Sequence, residues 1–80
     1  MQQADIEKKL IELAAKRFDR DLSDASVEDD FFEKLGIDSF QAMELLTDLE
    51  NEFDIEVPDY ELQGVTTFRA LATVIMERVG

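Results

Sequence analysis

A serine directly after a helix-capping aspartate is the residue in this chain best placed to do chemistry. In Leu35-Gly36-Ile37-Asp38-Ser39-Phe40, Asp38 is a good N-cap, and Gln41 three residues later completes a capping-box pattern. A helix is therefore expected to begin with Ser39 as its first residue. Backbone N–H groups left unpaired in the first turn, together with the aligned peptide dipoles, favour a negative group there by roughly 0.3–1 kcal/mol when exposed. Ser39 is thus a candidate to carry a phosphate ester.

Other chemistries lack their usual residues. The chain has no His, which removes the commonest general base, the customary partner of a nucleophilic serine and the commonest transition-metal ligand. It has no Cys, so neither a disulfide nor a thiolate metal site can staple it. Residues 19–30 deserve one comparison, with the calcium-binding helix–loop–helix pattern. Asp19, Asp21, Ser23 and Asp30 fall at ligand positions of that loop, but Asp24 stands where a glycine is needed and Asp30 where a longer bidentate glutamate is needed. No dedicated metal site is expected from it, and loose cation binding by clustered carboxylates is the better expectation.

The 80 residues allow one small domain, 1–80, near the size at which a single core supplies only a few kcal/mol of net stability. The first residues lack the basic-then-apolar order of a signal peptide, and no apolar run approaches membrane-spanning length, so a cytoplasmic, non-membrane monomer is expected. The formal charge is −12, and five of the eight basic residues lie within the first twenty positions. Between Leu35 and Phe68 there is no Lys or Arg. Nucleic acid is an unsuitable partner, because binding it takes phosphate-neutralising cations. Basic patches on other proteins are suitable partners, and the charge also keeps a small domain dispersed.

The elements that must position Ser39 can be read from periodicity. Ile6, Leu10, Leu13, Ala14 and Phe18 form a helical stripe over residues 4–18, with Lys8, Lys9, Lys16 and Arg17 mostly off it. Residues 19–30 read as a polar connection, and Phe31, Phe32 and Leu35 as apolar anchors of a crossing loop that covers an open side of the bundle. Gly36 permits the sharp change of direction before the second helix. In that helix Ala42, Leu45, Leu46, Leu49 and Phe53 form a buried stripe with Met43 at its edge. Phe40, Glu44, Thr47, Asp48 and Asn51 lie on the other side, so one large aromatic heads an acidic strip beside the helix-terminal hydroxyl. That combination reads as a docking surface; the alternative is that Phe40 folds back over the preceding loop.

Residues 54–58 should be extended ahead of Pro58. A short turn over residues 60–63, capped by Asp59 and ended by Gly64, follows. Thr66 should then cap a last helix carrying Phe68, Leu71, Ala72, Ile75 and Val79 at helical spacing. The expected fold is all-α: a small four-helix bundle of three main helices and one short one, with a long loop between helices 1 and 2.

These residues resemble the acyl carrier proteins, a family of phosphopantetheine-binding carrier domains. The likeness runs over nearly the whole chain. It rests on Leu35-Gly36-Ile37-Asp38-Ser39-Phe40, Glu44-Leu45, Leu49-Glu50, Glu52-Phe53, Ile55-Glu56-Val57-Pro58 and Thr66-Thr67, in order and without gaps. The resemblance implies that Ser39, beside Asp38, is esterified with 4′-phosphopantetheine by a phosphopantetheinyl transferase, and that the terminal thiol of that group holds an acyl chain as a thioester. It implies a carrier that catalyses nothing itself and delivers acyl intermediates to acyl-transfer, condensing and modifying enzymes of fatty acid or polyketide type. Phe40, Glu44 and Glu50 match positions used for docking such enzymes, with Asp48 on the same acidic strip. An apolar interior lined by Phe31, Met43, Leu46, Leu49, Leu62, Val65, Leu71 and Ile75 would shelter the cargo. Some positions depart from the common pattern: Phe40 replaces leucine or methionine, Gln41 and Asn51 replace frequent acids, and Thr47 replaces an apolar docking residue. The segment around Val57-Pro58 and Tyr60 also resembles D-alanyl carrier proteins. A specialised carrier and an acidic helical adaptor without a prosthetic group are therefore the alternative expectations.

Overall fold

The order of elements follows from where the chain can cap a helix and where it must stop one. A computed structural model describes residues 2–79, apart from the side chain of Asp59. Helix α1 spans Gln3–Phe18, α2 Phe31–Leu35, α3 Ser39–Phe53 and α4 Phe68–Val79, with a 3-10 turn at Asp59–Leu62 between α3 and α4. The three long helices are those expected from periodicity. The expected cap by Asp59 lies outside the described residues.

One apolar cluster joins all the helices. Ile6, Leu10 and Ala14 of α1 meet Phe68, Leu71, Ala72 and Ile75 of α4 and Leu45, Leu46 and Leu49 of α3. Leu22 and Val57 close it from the two connections. Among the described residues no polar or charged side chain is buried in it. The amphipathic spacing thus becomes burial as the period predicts, with Leu13, Phe18, Ala42, Phe53 and Val79 at the half-buried margin.

The crossing segment departs from the expectation of a plain loop. Its apolar anchors form helix α2, because the Asp30 carboxylate accepts hydrogen bonds from the backbone N–H of Phe32 at 2.8 Å and of Glu33 at 3.2 Å. Gly36 ends α2 in the left-handed region at φ 66°, and its N–H returns to the carbonyl of Phe32. Buried Phe31 and Leu35 then pin the short helix to the core, which is what a five-residue helix needs, since one turn is unstable alone.

The N-terminus of α4 is also held differently from expectation. Thr67, not Thr66, caps it, its hydroxyl accepting from the N–H of Ala70 at 3.1 Å. The carbonyl of Thr66 instead accepts from the N–H of Phe31 at 2.8 Å, and the N–H of Arg69 donates to the carbonyl of Val27 at 2.9 Å. The connection and the start of α4 therefore satisfy each other's backbone groups. This ties α2 to α4, and α2 is one wall of the site described below.

Replacing Asp30 by Ala should remove the cap of α2 at a cost of about 0.5–2 kcal/mol. Thermal melts should show a midpoint lower by roughly 4–8 °C for each kcal/mol lost in a domain of this size.

Candidate functional site

Ser39 opens α3, and the backbone geometry there is fixed from both sides. The Asp38 carboxylate accepts from the N–H of Gln41 at 2.9 Å, while the N–H of Asp38 donates to the Gln41 side-chain oxygen at 3.2 Å. The N–H of Ala42 donates to the Asp38 carbonyl at 3.0 Å, the first hydrogen bond of the helix. Before it, the N–H of Ile37 returns to the carbonyl of Phe32 at 3.1 Å, so the turn through Gly36 is also pinned. Ser39 is solvent-exposed, and its hydroxyl has no hydrogen-bond partner among the described residues. No acidic side chain lies in the first helical turn beyond the cap itself. The result is an unencumbered alcohol at the positive end of a fifteen-residue helix.

That alcohol sits at the edge of an apolar cleft of about 180 Å³. Phe31 and Phe32 of α2 form one wall, Ala42, Met43 and Leu46 of α3 another, and Leu62, Val65 and Leu71 the rest, with Ser39 at the rim. Six of the eight residues expected to shelter a cargo are therefore brought together: Phe31, Met43, Leu46, Leu62, Val65 and Leu71. Leu49 and Ile75 are not among the lining. Each lies one helical turn further along, on α3 and α4, and both are fully buried, closing the interior instead of facing the cleft. Phe32 and Ala42 line it without having been expected to. Ala42 follows Ser39 by three residues and so shares its side of the helix. The ring of Phe32 lies 4.6 Å from that of Phe31.

The outer side of α3 carries Phe40, 74% exposed, so this ring does not fold back over the preceding loop. Below it the acidic strip is partly engaged from within. Arg17 of α1 reaches across, its guanidinium 3.4 Å from a Glu44 carboxylate oxygen and paired with both carboxylate oxygens of Asp48. The hydrogen bonds from Arg17, helped by its charge and opposed by partial burial, hold the Asp48 carboxyl below the usual carboxylate range. Glu50 has a structural partner too: its carboxylate accepts from the N–H of Val57 at 2.8 Å, which fixes the extended segment after α3. The carboxylates compared with a calcium loop are dispersed in other duties, Asp21 turning back to the N–H of Ser23 and Asp30 capping α2. Among the described residues no three His, Cys, Asp or Glu side chains are grouped to hold a metal ion, and no helix is long and apolar enough to cross a membrane.

A family model described as "Phosphopantetheine attachment site" matches residues 8–75. The chain belongs to that family. Its prosthetic group is therefore covalent 4′-phosphopantetheine. The domain is also similar, at 28% identity over 78 residues, to an acyl carrier protein of Chlorobium phaeobacteroides, with 98% of this chain and all of that protein aligned. The crystal structure of an acyl carrier protein from Thermotoga maritima superposes with a TM-score of 0.84 over 99% of this chain and 92% of that one, at 24% identity, a likeness of fold. The residues present fit a phosphate ester on the α3 start. The Ser39 hydroxyl is exposed and uncommitted, whereas the Thr67 hydroxyl at the start of α4 is engaged as a cap. The apolar cleft at the rim of Ser39 suits an apolar group held on a tether.

The pairing of Arg17 with Asp48 has a pH signature. Because the folded pKa of Asp48 is depressed, its share of stability is present above the unfolded value of about 3.9. It is lost as the pH falls through the lower folded value. An NMR titration should find the Asp48 carboxyl titrating below the ordinary aspartate range, and Arg17→Gln should move that midpoint up.

Proposed function

We propose that this domain is an acyl carrier that bears 4′-phosphopantetheine on Ser39, catalyses nothing itself, and works as a cytoplasmic monomer. One observation carries the proposal: an exposed alcohol without a hydrogen-bond partner stands at the start of α3 and on the rim of an apolar cleft. The prosthetic group supplies a terminal thiol, which this cysteine-free chain lacks and on which an acyl group is carried as a thioester.

Loading makes few demands on the chain. The Ser39 oxygen forms a bond to the phosphorus that carries pantetheine in coenzyme A, the phosphoanhydride bond breaks, and adenosine 3′,5′-bisphosphate leaves with the electron pair. The hydroxyl proton needs a base. Asp38, the adjacent carboxylate, is committed to the N–H of Gln41, and the chain has no His, so the base belongs to the transferase. What this chain contributes is a fixed helix start, which favours the phosphate negative charge, and an uncovered oxygen.

The outer strip of α3 serves as the docking face for the transferase and for acyl-transfer, condensing and modifying enzymes. Phe40 offers them an apolar contact beside Ser39. Glu44 and Asp48 offer a negative strip to basic patches, although Arg17 neutralises part of it in the free domain. Glu50 acts at one remove, by holding the segment at Val57 in place.

Incubation with coenzyme A and a broad-specificity phosphopantetheinyl transferase should add one phosphopantetheine, seen by intact-mass spectrometry, and Ser39→Ala should abolish the addition. A wild-type chain that stays unmodified would leave the acidic-adaptor alternative as the better account.

A further inference from the structure

We infer that α1 masks the acidic side of α3 in the free domain, and that a docking enzyme takes this side by putting its own cation in the place of Arg17. This rests on the carrier reading above and adds to it how the docking face is controlled.

Every carboxylate of α3 already has a partner inside the domain. The helix carries four of them, Glu44, Asp48, Glu50 and Glu52, and no Lys or Arg of its own. Arg17 is paired with both carboxylate oxygens of Asp48 and lies 3.4 Å from Glu44. Lys9, about two turns earlier on α1, lies 3.8 Å from Glu52. Glu50 accepts from the N–H of Val57. Phe40, Glu44, Asp48 and Glu52 follow one another at intervals of four and so form a single row along the helix. Two cations of α1 thus cover all three acids of the row, while the ring at its head stays in solvent.

This cover is removable. The side chains of Arg17, Glu44 and Asp48 keep 33%, 43% and 30% of their surface exposed, so water weakens each pair and an incoming cation can exchange with Arg17. Exchange costs the partner the pairing that Arg17 gives up. Charge alone is therefore a poor grip on this domain, and the fitting partner joins an apolar recess for Phe40 to a basic group that reaches Glu44 and Asp48.

The test measures the affinity of the unmodified full chain for a broad-specificity phosphopantetheinyl transferase at about 0.15 M salt, where charges are screened beyond roughly 8 Å. Arg17→Gln should tighten binding by about two- to fivefold, the range that an exposed ion pair allows. Arg17→Lys, which keeps the charge and loses the two-point grip on Asp48, should give a smaller gain in the same direction. Lys8→Gln removes the same charge from an exposed site on the opposite side of α1, about 13 Å away along the helix, and should leave the affinity nearly unchanged. Asp48→Asn should weaken binding more in the Arg17→Gln chain than in the wild type, because only there is the carboxylate uncovered. An Arg17→Gln chain that binds no tighter than Lys8→Gln would overturn the mask and leave Arg17 as a tie between helices. One that binds more weakly would overturn it in favour of Arg17 holding the acids ready for the partner. Equal effects of Asp48→Asn in the two chains would also overturn it. Intact mass of the same reactions separates the two failures: loading of Ser39 without the affinity gain removes the mask alone, whereas no loading in any chain strikes the carrier reading on which it rests.

Discussion

The start of α3 is the constraint on which the rest of the domain depends. Two reciprocal hydrogen bonds between Asp38 and Gln41 decide that the helix begins at Ser39 and not a residue earlier or later. A later start would leave Ser39 outside the helix and a first-turn N–H without its cap. The same helix that presents Ser39 at its start buries Leu45, Leu46 and Leu49 one to three turns on. Cap, cleft and core are for this reason one problem, and the left-handed turn at Gly36, with φ 66°, feeds the chain into its solution.

Charge is arranged around that geometry so that the few cations act where they matter. Twenty acidic residues face eight basic ones. The basic residues act largely as ties between elements: Arg17 of α1 to Glu44 and Asp48 of α3, Arg69 of α4 to Glu7 of α1 and Glu28 of the long connection, and Arg78 at the end of α4 to Glu61 in the 3-10 turn. Exposed pairs of this kind contribute little stability one by one, about 0–1 kcal/mol each. Their effect is to choose which surface stays negative. Among the described residues no such tie covers the Phe40 ring, so the apolar contact and the helix start beside it face solvent together.

The helical periods and the capping box were legible because each is a local pattern whose cause lies within a few residues. Helix α2 was missed although Asp30 and Glu33 have capping spacing, because five residues show too little period to stand out from a loop. Thr66 and Thr67 are equally good caps in sequence, and the choice was made by a distant partner, the N–H of Phe31, which takes the carbonyl of Thr66. The C-termini of α1 and α3 close on Asp19 and Asp54, both left-handed at φ 53° and 55°, where glycine is the usual signal. The depth of the cleft was not legible either. Leu46 and Leu49 lie on the same stripe, and only packing against α4 decides that one borders open space and the other does not.

An unfilled cleft is a poor choice for a domain of this size unless something fills it. Residual cavities weaken a core by roughly 24 cal/mol for each Å³ when closed, so a space of about 180 Å³ could forgo up to about 4 kcal/mol, less because it opens to solvent. An 80-residue domain has in total only about 4–12 kcal/mol. Ala42, three residues after Ser39, and Val65 border the space with side chains smaller than those around them. The contacts this lining lacks are completed if an apolar group is brought in on a tether from Ser39. The group is then held about as firmly as the deficit it repairs, firmly enough to be kept from water and weakly enough to be drawn out by a partner with a comparable apolar channel.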